Sequence, residues 1–199
     1  MEHFVTDIND LDSEKTYTYK EYLLWKFKER VELIKGKIFR MSPAPSISHQ
    51  NISRNINKVL DHYFFGEPCK VFYAPLDVLL PDKKNLQKKM TFLPWYSRIF
   101  ASSAITKKLQ TVKNAPVLLI WSLKSYLPGN SKKEMDYKFD LYQEAGVQEY
   151  RLVYPEEKSI NIFVLKDDGY IGLKPISEGR ILTSSLFPEV QAEVDKIFV

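Results

Sequence analysis

The sequence predicts an α+β (or α/β) domain, a mixed, mostly antiparallel sheet with helices before, between and after its strands. Three observations carry that prediction. Ile52, Ile56, Val59, Leu60 and Tyr63 recur at helical spacing. Short apolar runs meet at the turn signals Lys35-Gly36 and Asp167-Asp168-Gly169, as paired strands do. Thr18 with Glu21, and Ser131 with Glu134, have the spacing of a capping box, in which a hydroxyl and a carboxylate satisfy the first free N–H groups of a helix. The 199 residues suit one domain with short tails, and 44% hydrophobic content with 12 Tyr, 12 Phe and 3 Trp supplies a core.

Taken in order, residues 1–16 are polar and expected to be loose, with a single domain over 17–199. Thr18 caps a short helix whose apolar content is Tyr22, Leu23, Trp25 and Phe27. Val31–Ile34 and Lys37–Met41 read as strands around Lys35-Gly36, and residues 42–46 as a loop. Ser46 or Ser48 opens the next helix, which Gly66-Glu67-Pro68 ends. Lys70–Ala74 and Asp77–Leu80 are strand-like and are broken by Pro81-Asp82. Ser131 caps a helix running to about Ala145, with Gly146 as its stop. Glu149–Val153, Ile160–Leu165 and Tyr170–Leu173 read as strands, and Pro188 to Ile197 as a terminal helix.

Composition narrows the function classes. A single cysteine, Cys69, excludes an intramolecular disulfide and a Cys-based zinc site, and it reads as a small buried residue. The opening segment is acidic with no apolar run, and no window has the ~18 uninterrupted apolar residues of a membrane span, so a cytoplasmic protein without membrane contact is expected. The net charge of +4 permits nucleic-acid binding without arguing for it, since no dense Lys/Arg stripe stands out.

The stretches YTYKEYLLW, RVELIKGKIFRMSPAPSISHQNI, KVFYAPLDVLLP, PGNSKKEMDYKFDLYQEAGVQEYRLVYPEEKSINIFVL and DDGYIGL stand in this order between Tyr17 and Leu173. Each is weak alone; order and spacing together are specific. On them the chain resembles the Uma-two family of restriction-endonuclease-like proteins, with the PD-(D/E)XK nuclease fold. The resemblance implies a restriction-endonuclease-like mixed sheet flanked by helices, DNA as substrate, and phosphodiester hydrolysis with Mg²⁺. In such chemistry carboxylates hold a hard cation that activates water and screens the charge developing on phosphate. Many PD-(D/E)XK enzymes dimerise to cut two strands, so a homodimer is compatible with this reading.

Residue by residue, the resemblance carries the early acid onto Glu32, as catalytic group and residual metal ligand, and the catalytic lysine onto Lys138. The early histidine matches His49, and Lys132 and Lys133 are candidates for touching phosphates. The two central acids match nothing: Arg98 and Ile99 stand near the place of one, Leu123 and Lys124 near the other. Where the family has EYWLVDP, this chain has EYRLVYP, with Arg151 and Tyr154 in place of Trp and Asp. Without the resemblance these residues have plainer readings. Glu32 is a strand-edge surface acid, Lys138 a solvated helix residue beside Asp136 and Asp140, and His49 a cap or core contact. Lys132 and Lys133 are solvated, and Tyr142 and Tyr150 pack with a hydroxyl at the surface.

Leu86 to Leu127 is where the departure concentrates. If the third base of each codon is read with the first two of the next, permitted codons for Phe92–Ile105 spell FTVVQPDICVVCD, and those for Pro116–Pro128 spell GAPDLVVEILSP. Two family motifs in one shifted frame, in the right order, point to a frameshift and a compensating one. The two central strands of the sheet, flanked by strands from 70–80 and 149–153, would then be disrupted, with 86–115 irregular and Val117–Trp121 a partial substitute. Three functions stay open: an inactive family member that binds Mg²⁺ poorly, an active nuclease whose sequence here carries a reading error while its true product has the shifted-frame residues, and a non-catalytic nucleic-acid or partner-binding remnant.

Overall fold

A computed structural model describes residues 4–40, 46–67, 69–71, 77–80, 91–94, 97–102, 118–123, 132–167 and 169–199; at 69–70, 77–80, 91–94, 97–102, 118–123 and 132–134 the description is of the backbone. Helix α1 (Tyr19–Tyr22) has the capping box expected of it: Thr18 accepts from the Glu21 N–H and the Glu21 carboxylate accepts from the Thr18 N–H. Strands β1 (Val31–Ile34) and β2 (Lys37–Arg40) form the expected hairpin. Its turn needs positive φ at both central residues, Lys35 at 49° and Gly36 at 78°. A side chain at position 36 would also crowd the Tyr17 carbonyl oxygen, 3.1 Å from where a Cβ would lie.

Helix α2 (Ile47–Phe64) starts at Ser46, whose hydroxyl accepts from the His49 N–H. Its buried stripe is Ile52, Ile56, Leu60 and Phe64, one residue per turn. Strands β3 (Cys69–Val71) and β4 (Asp77–Leu80) follow, then β5 (Thr91–Pro94), β6 (Ser97–Ser102) and β7 (Leu118–Leu123). Helix α3 (Lys132–Ala145) ends at Gly146, which takes φ 81°. Then come β8 (Glu149–Tyr154), β9 (Ser159–Lys166), β10 (Gly169–Gly172), β11 (Ile176–Ser177), β12 (Ile181–Thr183), β13 (Gln191–Glu193) and α4 (Val194–Ile197).

The larger sheet runs β10-β9-β8-β7-β6-β3, with β11 also on β9; a second runs β2-β1-β5-β4; β12 and β13 pair alone. The pairings are antiparallel except β7 with β8, and the helix between those two strands is α3, as a parallel pair requires. The α+β expectation holds. Two strands from within 86–127, β6 and β7, lie between β3 and β8. The disruption expected of them does not appear in the backbone. Ser97–Ser102 and Leu118–Leu123 pair with each other and with both neighbours, and 91–94 pairs in the second sheet. Ladder bonds join main-chain groups, which any extended run supplies. The side chains of Trp95, Arg98 and Phe100, the rest of 86–115, the Ser131 cap and the Cys69 side chain lie outside the described residues.

Alternation along the strands sorts the core into layers. On β8, Val153 joins Ile160 and Ile162 of β9 against the stripe of α2, while Tyr150 and Leu152 on the other face meet Leu141 and Tyr142 of α3. Tyr142 and Tyr150 are buried throughout, not merely by their rings as expected. On β1, Val31 and Leu33 face an N-terminal cluster with Ile8, Tyr17 and Trp25, and Ile34 faces α3. Within residues 4–16 Ile8 is buried and the Val5 main chain bridges to Trp25, while most of the other residues are exposed. The terminal helix expected from Pro188 is confined to α4, because Gln191–Glu193 finds a strand partner in Ile181–Thr183.

Candidate active site

Glu32 lies on β1, which has β2 on one edge and β5 on the other, and every residue of the strand is buried. Alternation puts Glu32 on the same face as Ile34, toward α3. A buried carboxylate needs a partner, and Lys138 supplies it: its ammonium donates to Oε1 at 3.1 Å and lies 2.8 Å from Oε2 as an ion pair. The Glu32 residue is 3% exposed, so it is not the strand-edge surface acid of the plainer reading. The Lys138 side chain is 15% exposed, so it is not simply solvated. Two further contacts fix α3 on the hairpin. Lys35 pairs with Glu144 at 3.0 Å, and the Phe39 ring meets that of Tyr137 with centroids 5.7 Å apart.

The structure thus brings together Glu32 and Lys138, 106 residues apart in the chain. His49 belongs to another element, the first turn of α2, where its N–H is capped by Ser46 and the residue is buried. Lys132 and Lys133 open α3 more than one turn ahead of Lys138, and their side chains lie outside the described residues.

Mg²⁺ takes about six oxygen ligands, one or more of them carboxylates, in near-octahedral geometry. Strand β6, SRIFAS, and strand β7, LLIWSL, contain no Asp or Glu. In register, Arg98 stands opposite Trp121, Ile99 opposite Ile120, and Leu123 opposite Val153 of β8. Lys124 lies outside the described residues. Among the described residues no three of His, Cys, Asp or Glu gather in a way that could hold a metal ion. With one carboxylate, itself engaged by an ammonium, the described residues do not fit a Mg²⁺ centre.

A second buried ion pair escaped the sequence reading. Glu149 and Arg151, both 0% exposed, lie on one face of β8 and pair directly. Ser184 Oγ donates to both Glu149 oxygens, at 3.1 and 3.3 Å, and the Ser185 N–H donates at 2.9 Å. Arg151 also donates to the Thr183 carbonyl at 2.8 Å. Burial pulls the Arg151 guanidinium below its usual range, opposed by the charge of Glu149. The signal was present as opposite charges two apart in an otherwise apolar strand, which puts both on one face. Elsewhere, burial pushes the Tyr170 phenol well above the usual range, and its hydroxyl donates to the Val147 carbonyl at 2.9 Å.

The comparisons with known proteins agree with this architecture. The Uma2 family model, described as "Putative restriction endonuclease", matches residues 19–91 and 107–195. Among solved structures the chain is similar to one described as a putative nuclease belonging to DUF820 from Anabaena variabilis ATCC 29413. The TM-score is 0.66 at 14% identity, over 92% of this chain and 97% of that one. No curated protein matches. Among the described residues, no helix is long and apolar enough to cross a membrane.

Proposed function

Since this chain belongs to the Uma2 family, we propose that it is a nuclease-fold protein acting on DNA by descent whose centre for metal-dependent phosphodiester hydrolysis is incomplete. One observation carries the reading: β6 and β7 bring no carboxylate, and the early acid Glu32 is neutralised by Lys138. In a complete centre the cation would supply the activation of water and the screening of phosphate charge. Here Glu32 and Lys138 satisfy each other instead. Either could re-engage a ligand only by giving up a charge-assisted bond, which leaves the partner uncompensated.

The expected outcome is no detectable cleavage of plasmid or single-stranded DNA by the purified chain with Mg²⁺ or Mn²⁺. Cleavage that disappears in Glu32→Ala would overturn the proposal. A second reading rests on the two family motifs that share one shifted frame. In it, a chain with 86–127 replaced by the shifted-frame translation regains divalent-dependent cleavage. The coding DNA tests it directly: an Arg98 codon that does not end in G is incompatible with QPDICVVCD.

A further inference from the structure

Residues 181–199 form a small C-terminal unit. Its strands β12 and β13 hydrogen-bond to each other, in a sheet of their own, and α4 follows. Among the described residues the unit has no ladder to the larger sheets, and side chains hold it to the body; Asn55 of α2 donates to the Ile197 and Val199 carbonyls at 3.3 and 2.8 Å, which fixes the end of α4 but not β12. Leu182, Val190, Ala192, Val194 and Ile197 pack with Ile52, Ile56, Leu60 and Phe64 of α2 and with the sheet. Apolar attraction is non-directional, so this contact alone would tolerate a slipped docking.

The Glu149–Arg151 pair adds direction. Its outside bonds run to Thr183, Ser184 and Ser185, and Ser184 Oγ in turn accepts from the N–H groups of Leu186 and Phe187, each at 3.2 Å. Residues 183–187 are thus folded around one carboxylate and one guanidinium at the floor of the contact. Undocked, both charges are hydrated. Docked in register, their buried bonds are made. Docked out of register, two charges are buried without those partners, which is the expensive case.

We infer that the Glu149–Arg151 pair is a latch: it permits residues 181–199 to dock in one register only, and breaking it releases that unit while the β1–α3 side stays folded. The inference does not depend on the proposed loss of catalysis, because the latch faces α2 across β8 while Glu32 and Lys138 belong to β1, in the other sheet, and to α3.

Native-state hydrogen exchange on the full chain tests it. In Glu149→Gln, which leaves the guanidinium buried and uncompensated, protection at Leu182, Ala192 and Val194 should fall by roughly 100-fold or more. Protection at Leu33, Ile34, Leu141 and Tyr142 should change by less than about threefold, as for regions that open separately. Glu149→Gln combined with Arg151→Met should recover much of the loss, because removing both charges removes the penalty. Equal loss at both sets of amides, or none at 182–194, would overturn the inference. Should Glu149→Gln fail to fold, Ser184→Ala carries the test. It deletes the hydroxyl that bridges the carboxylate to 186–187, and a selective loss over 181–194 supports the latch while a uniform or absent change overturns it.

Discussion

Among the described residues two ion pairs are buried, one on the α2 side of β8 and one on its α3 side, and they are built differently. Glu149 and Arg151 are two residues apart on one strand, fully enclosed, and their remaining bonds go to a neighbouring segment. Glu32 and Lys138 come from distant elements, and the lysine keeps part of its surface. The first pair is bound into the fold by a planar, forked cation that reaches two partners at once; the second depends on a flexible ammonium meeting one carboxylate. The comparison separates two uses of buried charge. Glu149 and Arg151 face the segment that docks on them, whereas Glu32 and Lys138 tie a hairpin to a distant helix where the lysine alone keeps some exposure.

Breaking each pair from its cationic side gives the sharpest test. Arg151→Ala should lower stability by ~3–5 kcal/mol, because it leaves a fully buried carboxylate without its cation, as read by urea denaturation. Lys138→Ala should lower it by only ~1–3 kcal/mol, since water can reach the vacated side of Glu32. A larger loss for Lys138→Ala than for Arg151→Ala would abolish the distinction. Gly36→Ala, in the turn that presents Glu32, should destabilise by ~1–2 kcal/mol through strain at positive φ and crowding of the Tyr17 carbonyl.

The smallest effect belongs to the exposed pair Lys15–Glu21. The side-chain bond from Lys15, then the Thr18 N–H, holds the Glu21 carboxyl below its ordinary range. A lowered folded value means stability fully present above the unfolded Glu range, about pH 4.3, and lost as pH falls through the lower folded value. Glu21→Gln should remove that acid-limb contribution, by under ~1 kcal/mol because solvent screens the pair. Acid-limb denaturation midpoints that coincide for the two proteins would contradict it.

What was legible in the sequence was local. The Thr18 box, the Ser46 cap, the Lys35-Gly36 turn and the stripe of α2 each follow from a few neighbouring residues, and each is where the sequence put it. The misreadings all involve distant partners. Pro188–Ile197 has apolar spacing that suits a helix until Ile181–Thr183 offers a ladder. Val5 and Ile8 looked incidental until Trp25 and Tyr17 enclosed them. The irregularity expected of 86–115 weighed side chains against a buried sheet, while the main chain of 91–94 and 97–102, its described part, is paired. Glu32 and Lys138 could be named only by resemblance, since nothing local to either predicts a partner 106 residues away. Glu149 and Arg151 are local to one another, but opposite charges two apart read more readily as a solvated face.

That separation of 106 residues has a consequence for how the chain is made. Ribosomes add about 5–20 residues each second, so the Glu32 hairpin emerges roughly 5–20 s before the lysine that neutralises it. For that interval β1 cannot bury Glu32 without penalty, and the hairpin waits, its carboxylate hydrated, for α3 to arrive.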